Sequence, residues 1–122
     1  MTAAELKSRT KRFAVSIMEL ADRLPASRSG NAVANQLVRS ATSVGANYRA
    51  ACRARSRAEF ISKLCIVFEE ADESLFWLEL LEERRMASSE KLNPLTQEAI
   101  ELTAIIAASL KTVRENKPSK KL

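Results

Sequence analysis

The sequence predicts an all-α fold, an antiparallel up-down-up-down four-helix bundle, on three observations. Two glycines and three prolines among 122 residues leave little material for the many turns of a β fold. Ala, Leu, Glu, Arg and Lys, which favour helix, are abundant. Four apolar stripes repeat at three- and four-residue steps, separated by short polar segments. This length suits one domain. The bundle is expected over residues 1–116, with KPSKKL at 117–122 as a disordered basic tail lacking any apolar period.

The first helix is expected over about 4–24, because Leu6, Thr10, Phe13, Ile17, Leu20 and Leu24 share one face and Pro25 ends it. Loop formers from Ala26 to Gly30 follow. The second helix then runs over about 31–54, with Val33, Leu37, Ala41, Val44, Tyr48, Ala51 and Cys52 inward. Ser56 with Glu59 three positions later is a capping box and opens a third helix over about 57–86. Its stripe is Phe60, Leu64, Val67, Phe68, Ala71, Leu75 and Leu78. Asn93 before Pro94 signals a fourth helix over about 94–115, carrying Leu95, Ala99, Leu102, Ile106, Leu110 and Val113. Helices this long with short loops disfavour a helix-turn-helix reader, and no repeat suggests a solenoid.

Composition narrows the chemistry. There is no histidine, which removes the commonest general base and transition-metal ligand. No Gly-rich phosphate loop and no nucleophile-elbow serine is present. The expectation is a protein that is not an enzyme, with no catalytic residues, no metal and no cofactor. Cys52 and Cys65 lie in apolar helical patterns and read as small buried hydrophobes in a reducing compartment. With no signal-peptide pattern and no apolar run of membrane-spanning length, a cytoplasmic chain without membrane association is expected.

Charge is unevenly distributed around a net +5. Arg23 to Arg57 contains seven arginines and no acid, whereas Glu59 to Glu90 contains nine acids. On a helical wheel Asn35, Arg39, Thr42, Ala46, Arg49 and Arg53 share a sector opposite Leu37, Val44 and Tyr48. Arg55 and Arg57 extend that stripe into the following turn. Two readings stand. Arg39, Arg49, Arg53, Arg55 and Arg57 bind nucleic-acid phosphates, aided by Lys7, Arg9, Lys11, Arg12 and the lysines of the tail. Alternatively they pair with helix-three acids, within or between subunits, in a protein-interaction scaffold. The stripe has no aromatic interleaving, so binding is expected to follow the backbone with low sequence specificity.

A second apolar surface is expected on helix three. Ile66, Phe76, Trp77 and Leu80 fall away from Leu64 and Ala71, and form a candidate oligomer interface. The competing reading packs Trp77 within a broad core. Gln36, Ser43 and Asn47 lie on one flank of helix two and read as hydrogen-bonding groups at a helix seam. Gly45 lies on the other flank, where a close helix approach would account for it.

Several stretches carry a family resemblance. These are Arg23-Leu24-Pro25, Gln36 through Asn47 (QLVRSATSVGAN), Glu59-Phe60 and Glu70 through Leu78 (EADESLFWL). The chain resembles the bacterial four-helix-bundle proteins encoded within intervening sequences of large-subunit ribosomal RNA genes. The resemblance implies an up-and-down bundle, assembly into a homopentameric ring, and kinship with accessory variability proteins. Those bind reverse transcriptase and nucleic acid in diversity-generating retroelements. It implies no established enzyme activity. Ala50 stands where the family commonly has Glu, so any contact by that carboxylate is missing and the stripe is more positive.

Overall fold

A computed structural model of the chain describes residues 1–116; the tail expected at 117–122 lies outside them. Four helices account for most of that length: α1 Ala3–Ala21, α2 Arg28–Cys52, α3 Arg57–Glu83 and α4 Ser89–Glu115. Each packs on its sequence neighbour and α4 returns to α1, while the diagonal pairs make no close backbone approach. With linkers this short, that arrangement is the antiparallel up-down-up-down bundle.

Leu6, Phe13, Ile17 and Leu20 of α1 meet Leu37, Ala41, Val44, Tyr48 and Ala51 of α2 in one core. Leu64, Val67, Ala71, Leu78 and Leu81 of α3 join Leu92, Ala99, Leu102, Ile106 and Leu110 of α4. Three polar residues are buried with them, Thr10, Ser40 and Ser74. Each hydroxyl is satisfied, as burial requires. Thr10 donates to the Leu6 carbonyl at 2.9 Å, and Ser74 Oγ lies 2.9 Å from Ser40 Oγ and 2.8 Å from the Glu70 carbonyl oxygen.

The helix ends differ from the expected ones for identifiable reasons. Thr2 and Glu5 form a reciprocal capping box that starts α1 at Ala3. Helix α1 stops at Ala21, because Leu24 precedes Pro25 and is steered out of the helical region; tight turns from Arg23 and Leu24 close the end. Ser27 caps α2, which starts at Arg28, three residues before Asn31, and accepts from the Gly30 N–H at 3.0 Å. Ser56 caps α3, yet the Glu59 carboxylate accepts from the Arg55 N–H instead of closing the box on Ser56.

The largest difference is at α4, which starts at Ser89 under a Ser88 cap and not at Pro94. The extra turn carries Leu92, 1% exposed, into the core. Pro94 therefore sits inside the helix, and the Glu90 carbonyl loses its usual donor. Glu90 is exposed, at the outer start of the helix. Helix α3 ends at Glu83, not near residue 86. Arg85 adopts a left-handed φ of 53°, and the Met86 N–H returns to the Leu81 carbonyl at 2.9 Å. This is a Schellman ending with arginine where glycine is usual.

The α1–α4 pair has the sparsest backbone contact of the four neighbouring pairs, and Arg9 bridges it. Its guanidinium forks onto Glu98 at 2.7 and 2.8 Å and reaches Glu101 at 2.6 Å, which raises the already high arginine pKa. Glu101 is held below the usual carboxylate range, first by the Gln97 amide and then by Arg9.

Two predictions follow from these contacts. A Cβ on Gly30 would lie 2.5 Å from the Pro25 carbonyl oxygen, whereas one on Gly45 would make ordinary contacts of 3.5 Å or more with α1. Gly30→Ala is therefore expected to lower stability by more than about 1 kcal/mol, while Gly45→Ala and Arg85→Gly each raise it by about 0.5–1 kcal/mol in urea unfolding. Equal shifts of one sign for both glycines would refute this assignment. Because Glu101 has a depressed folded pKa, its contribution is present above the unfolded value of 4.5 and is lost as pH falls through the folded one. Arg9→Gln should therefore lower Tm by about 4 °C near neutrality. It should also flatten the fall in Tm below pH 4.5; an unchanged acid limb would count against the clamp.

Candidate nucleic-acid interface

The five arginines of the expected stripe have three different environments. Arg39 is occupied: its Nη1 donates to both Glu70 oxygens at 3.1 and 3.2 Å, its Nη2 to Glu73, and its Nε to Gln36 at 3.1 Å. Glu70 first and then Glu73 raise its pKa. Glu73 is in turn held below the carboxylate range, first by the Trp77 indole N–H at 3.0 Å and then by Arg39.

Arg57 is committed elsewhere. Its Nη2 donates to the Val113 carbonyl at 2.7 Å and approaches that of Arg114 at 3.4 Å, capping the C-terminus of α4. Its Nε is buried with no hydrogen-bond partner among the described residues, so the group is held by position rather than offered to solvent. The helical wheel had no access to this, because the turn at residues 53–56 breaks the phase between α2 and α3.

Arg49, Arg53 and Arg55 remain, and the fold brings them to one groove of ≈ 810 Å³. Lys7 and Lys11 of α1 and Lys63 of α3 join them. Gly45, Ala46 and Ala50 also line it, together with Ala14, Thr42 and a single acid, Glu59. Arg49, Arg53, Lys7, Lys11 and Lys63 enter no ion pair among the described residues. Arg55 touches Glu59 only at 3.9 Å, with its side chain 90% exposed. Unneutralised cations flanking a floor of small residues are suited to oxyanions.

Two parts of this groove were legible in sequence only in fragments. Lys7 and Lys11 stand one turn apart in α1, but their place opposite Arg49 and Arg53 requires the antiparallel α1–α2 register. Lys63 reads as a lone base in an acidic helix until the α2–α3 turn folds it back. Among the described residues Glu59 supplies the only carboxylate lining the groove.

The flank row on α2 is hydrogen-bonded as expected, but only Ser43 crosses to α3. Ser43 donates to Glu70 at 3.3 Å, and Asn47 to the Ser43 hydroxyl and carbonyl at 2.8 and 3.0 Å. Gln36 accepts from Arg39, also within α2.

The four proposed interface residues separate. Phe76 is 49% exposed, while Trp77 packs partly against the core and Ile66 and Leu80 are half-buried. The Phe76 and Trp77 rings meet edge to face at 5.0 Å. Both cysteines are free, but Cys52 is exposed and not buried as expected, because the inward stripe of α2 ends at Ala51. Tyr48 is buried, and its hydroxyl is pushed up to about 12 by desolvation and then by Cys52.

No group of His, Cys, Asp or Glu among the described residues is placed to hold a metal ion. No helix among them is long and apolar enough to cross a membrane.

No functionally curated protein matches the chain. A similar solved structure is a protein of unknown function from the S23 ribosomal protein family of Bacteroides thetaiotaomicron VPI-5482. It is 34% identical, the match covers 91% of this chain and 99% of that one, and the TM-score is 0.84. The family model described as 23S rRNA-intervening sequence protein matches residues 3–108, nearly all of the four-helix region. On that match the chain belongs to the 23S rRNA-intervening sequence protein family.

Proposed function

We propose that the chain is a non-catalytic bundle that binds the phosphate backbone of RNA or DNA through the α1–α2 groove. The observation that carries this is the unpaired state of Lys7, Lys11, Arg49, Arg53 and Lys63 around a nearly acid-free trough. Such a surface releases condensed counterions when it meets phosphates, so affinity falls as salt rises. Arg39 and Arg57, included in the sequence-based set, are left out of this reading because carboxylates and helix carbonyls already hold them. Assembly into a ring would gather several grooves and multiply weak contacts.

The double variant Arg49→Glu/Arg53→Glu should weaken binding of a labelled nucleic acid more than tenfold, a loss above about 1.4 kcal/mol. Arg39→Gln and Arg57→Gln should leave affinity within about twofold once folding is verified. Fluorescence anisotropy between about 50 and 200 mM salt reads both. Binding insensitive to salt, or equally sensitive to all four substitutions, would overturn the proposal.

A second reading, a homo-oligomeric interaction scaffold, is favoured by the outward Phe76 ring beside Trp77. Arg39 pairs with Glu70 and Glu73 as that reading requires, though within one subunit. Phe76→Asp should reduce the sedimenting mass to that of one chain while Arg49→Glu leaves it unchanged. A wild-type protein already monomeric at micromolar concentration would reject the scaffold.

A further inference from the structure

We infer that the groove selects double-helical nucleic acid over unpaired strands, an inference that rests on the backbone-binding reading and specifies its ligand. Proteins that hold single strands combine cations with exposed rings on which bases stack, each ring contributing about 1–3 kcal/mol. This groove has none: its lining contains no aromatic side chain. The rings of the chain are elsewhere. Phe13 and Tyr48 are buried, Phe60 and Phe68 pack against the core, and Phe76 and Trp77 lie beside Glu73 on α3.

The groove also lacks the side chains that read base edges. Among the described residues no Asn or Gln lines it; Asn47 is bonded to Ser43 and Gln36 to Arg39, within α2. Thr42 is its only uncharged polar side chain. With stacking and edge recognition both absent, affinity depends on phosphate density and on the entropy of ordering the ligand. A duplex carries one charge per roughly 1.7 Å of axis and releases about 0.9 counterion per phosphate neutralised, against about 0.7 for a single strand. It is also already rigid, so less conformational freedom is lost on binding.

The shape agrees with this chemistry. Lys7 and Lys11 come from one helix and Arg49 and Arg53 from the next, and Gly45, Ala46 and Ala50 keep the surface between them low. A projecting ridge of phosphates can enter and meet cations from both helices. Duplex RNA and duplex DNA share that ridge, so the chemistry named is the double-helical phosphodiester backbone.

The test compares duplex DNA, duplex RNA, oligo(dT) and oligo(rA), each with the same number of phosphates, by anisotropy with the full chain. Both duplexes should bind at least about tenfold tighter than either single strand at the same salt. For about five neutralised phosphates the log–log salt slope should lie near −4.5 for duplex. Lys7→Gln/Lys11→Gln, with circular dichroism confirming an intact bundle, should bring the ratio of duplex to single-strand affinity towards one. Single strands that bind as tightly as duplex would overturn the inference while leaving backbone binding in place. Failure of all four probes to bind at low salt would reject the proposed function and the inference together.

Discussion

The rest of the structure depends on a buried pair of hydroxyls that fixes how α2 lies on α3. Ser74 Oγ and Ser40 Oγ are 2.9 Å apart, both are buried, and each also reaches a carbonyl of its own helix. Sliding either helix would break the contact between the two hydroxyls, a hydrogen bond of about 0.5–1.5 kcal/mol, and leave each with only the carbonyl of its own helix. Leucine packing alone tolerates such slips far better. The register set here brings Glu70 and Glu73 to Arg39 and Ser43.

That register sorts the charges. The carboxylates of α3 nearest α2 are used on Arg39, and Glu98 and Glu101 of α4 on Arg9. Arg57 is taken by the C-terminus of α4. Lys7 and Lys11 of α1 and Arg49 and Arg53 at the end of α2 face a trough that contains, among the described residues, one carboxylate. A net charge of +5 would permit many surface distributions; the helix register converts it into one concentrated cationic face.

The four helices were legible because their apolar stripes are long and periodic: Leu37, Ala41, Val44, Tyr48 and Ala51 allow only a helix with one buried face. Their ends were less so. Asn93-Pro94 is a sound local start signal, yet burying Leu92 in a further turn under Ser88 outweighed it. The Thr2–Glu5 box was present in the sequence and needed only to be read. The groove was half legible. A wheel drawn on α2 identifies Arg49 and Arg53, but it cannot say that a carboxylate reaches Arg39, or that Arg57 belongs to the far end of α4. Those facts come from the contacts between helices, and one-helix periodicity carries no information about them. Phe76 and Trp77 were grouped for the same reason, although adjacent residues on a helix point about 100° apart and only Phe76 is exposed.

The groove is also a place where the fold gives up stability. Like charges one turn apart on a helix repel by roughly 0.2–0.5 kcal/mol, and two such pairs, Lys7 with Lys11 and Arg49 with Arg53, face each other across the trough. The C-terminal end of α2 offsets part of this for Arg49 and Arg53, since its dipole favours cations there. Lys7 and Lys11 lie inside α1 and gain no such relief. Glu in place of Ala50 would add a second carboxylate to the floor and weaken the attraction for phosphate. The apolar core of the bundle is large enough to hold the helices together against this repulsion. An anion bound in the trough would relieve the repulsion, and whatever binds the folded chain there also stabilises it, by RT ln(1 + L/Kd) for a ligand at concentration L.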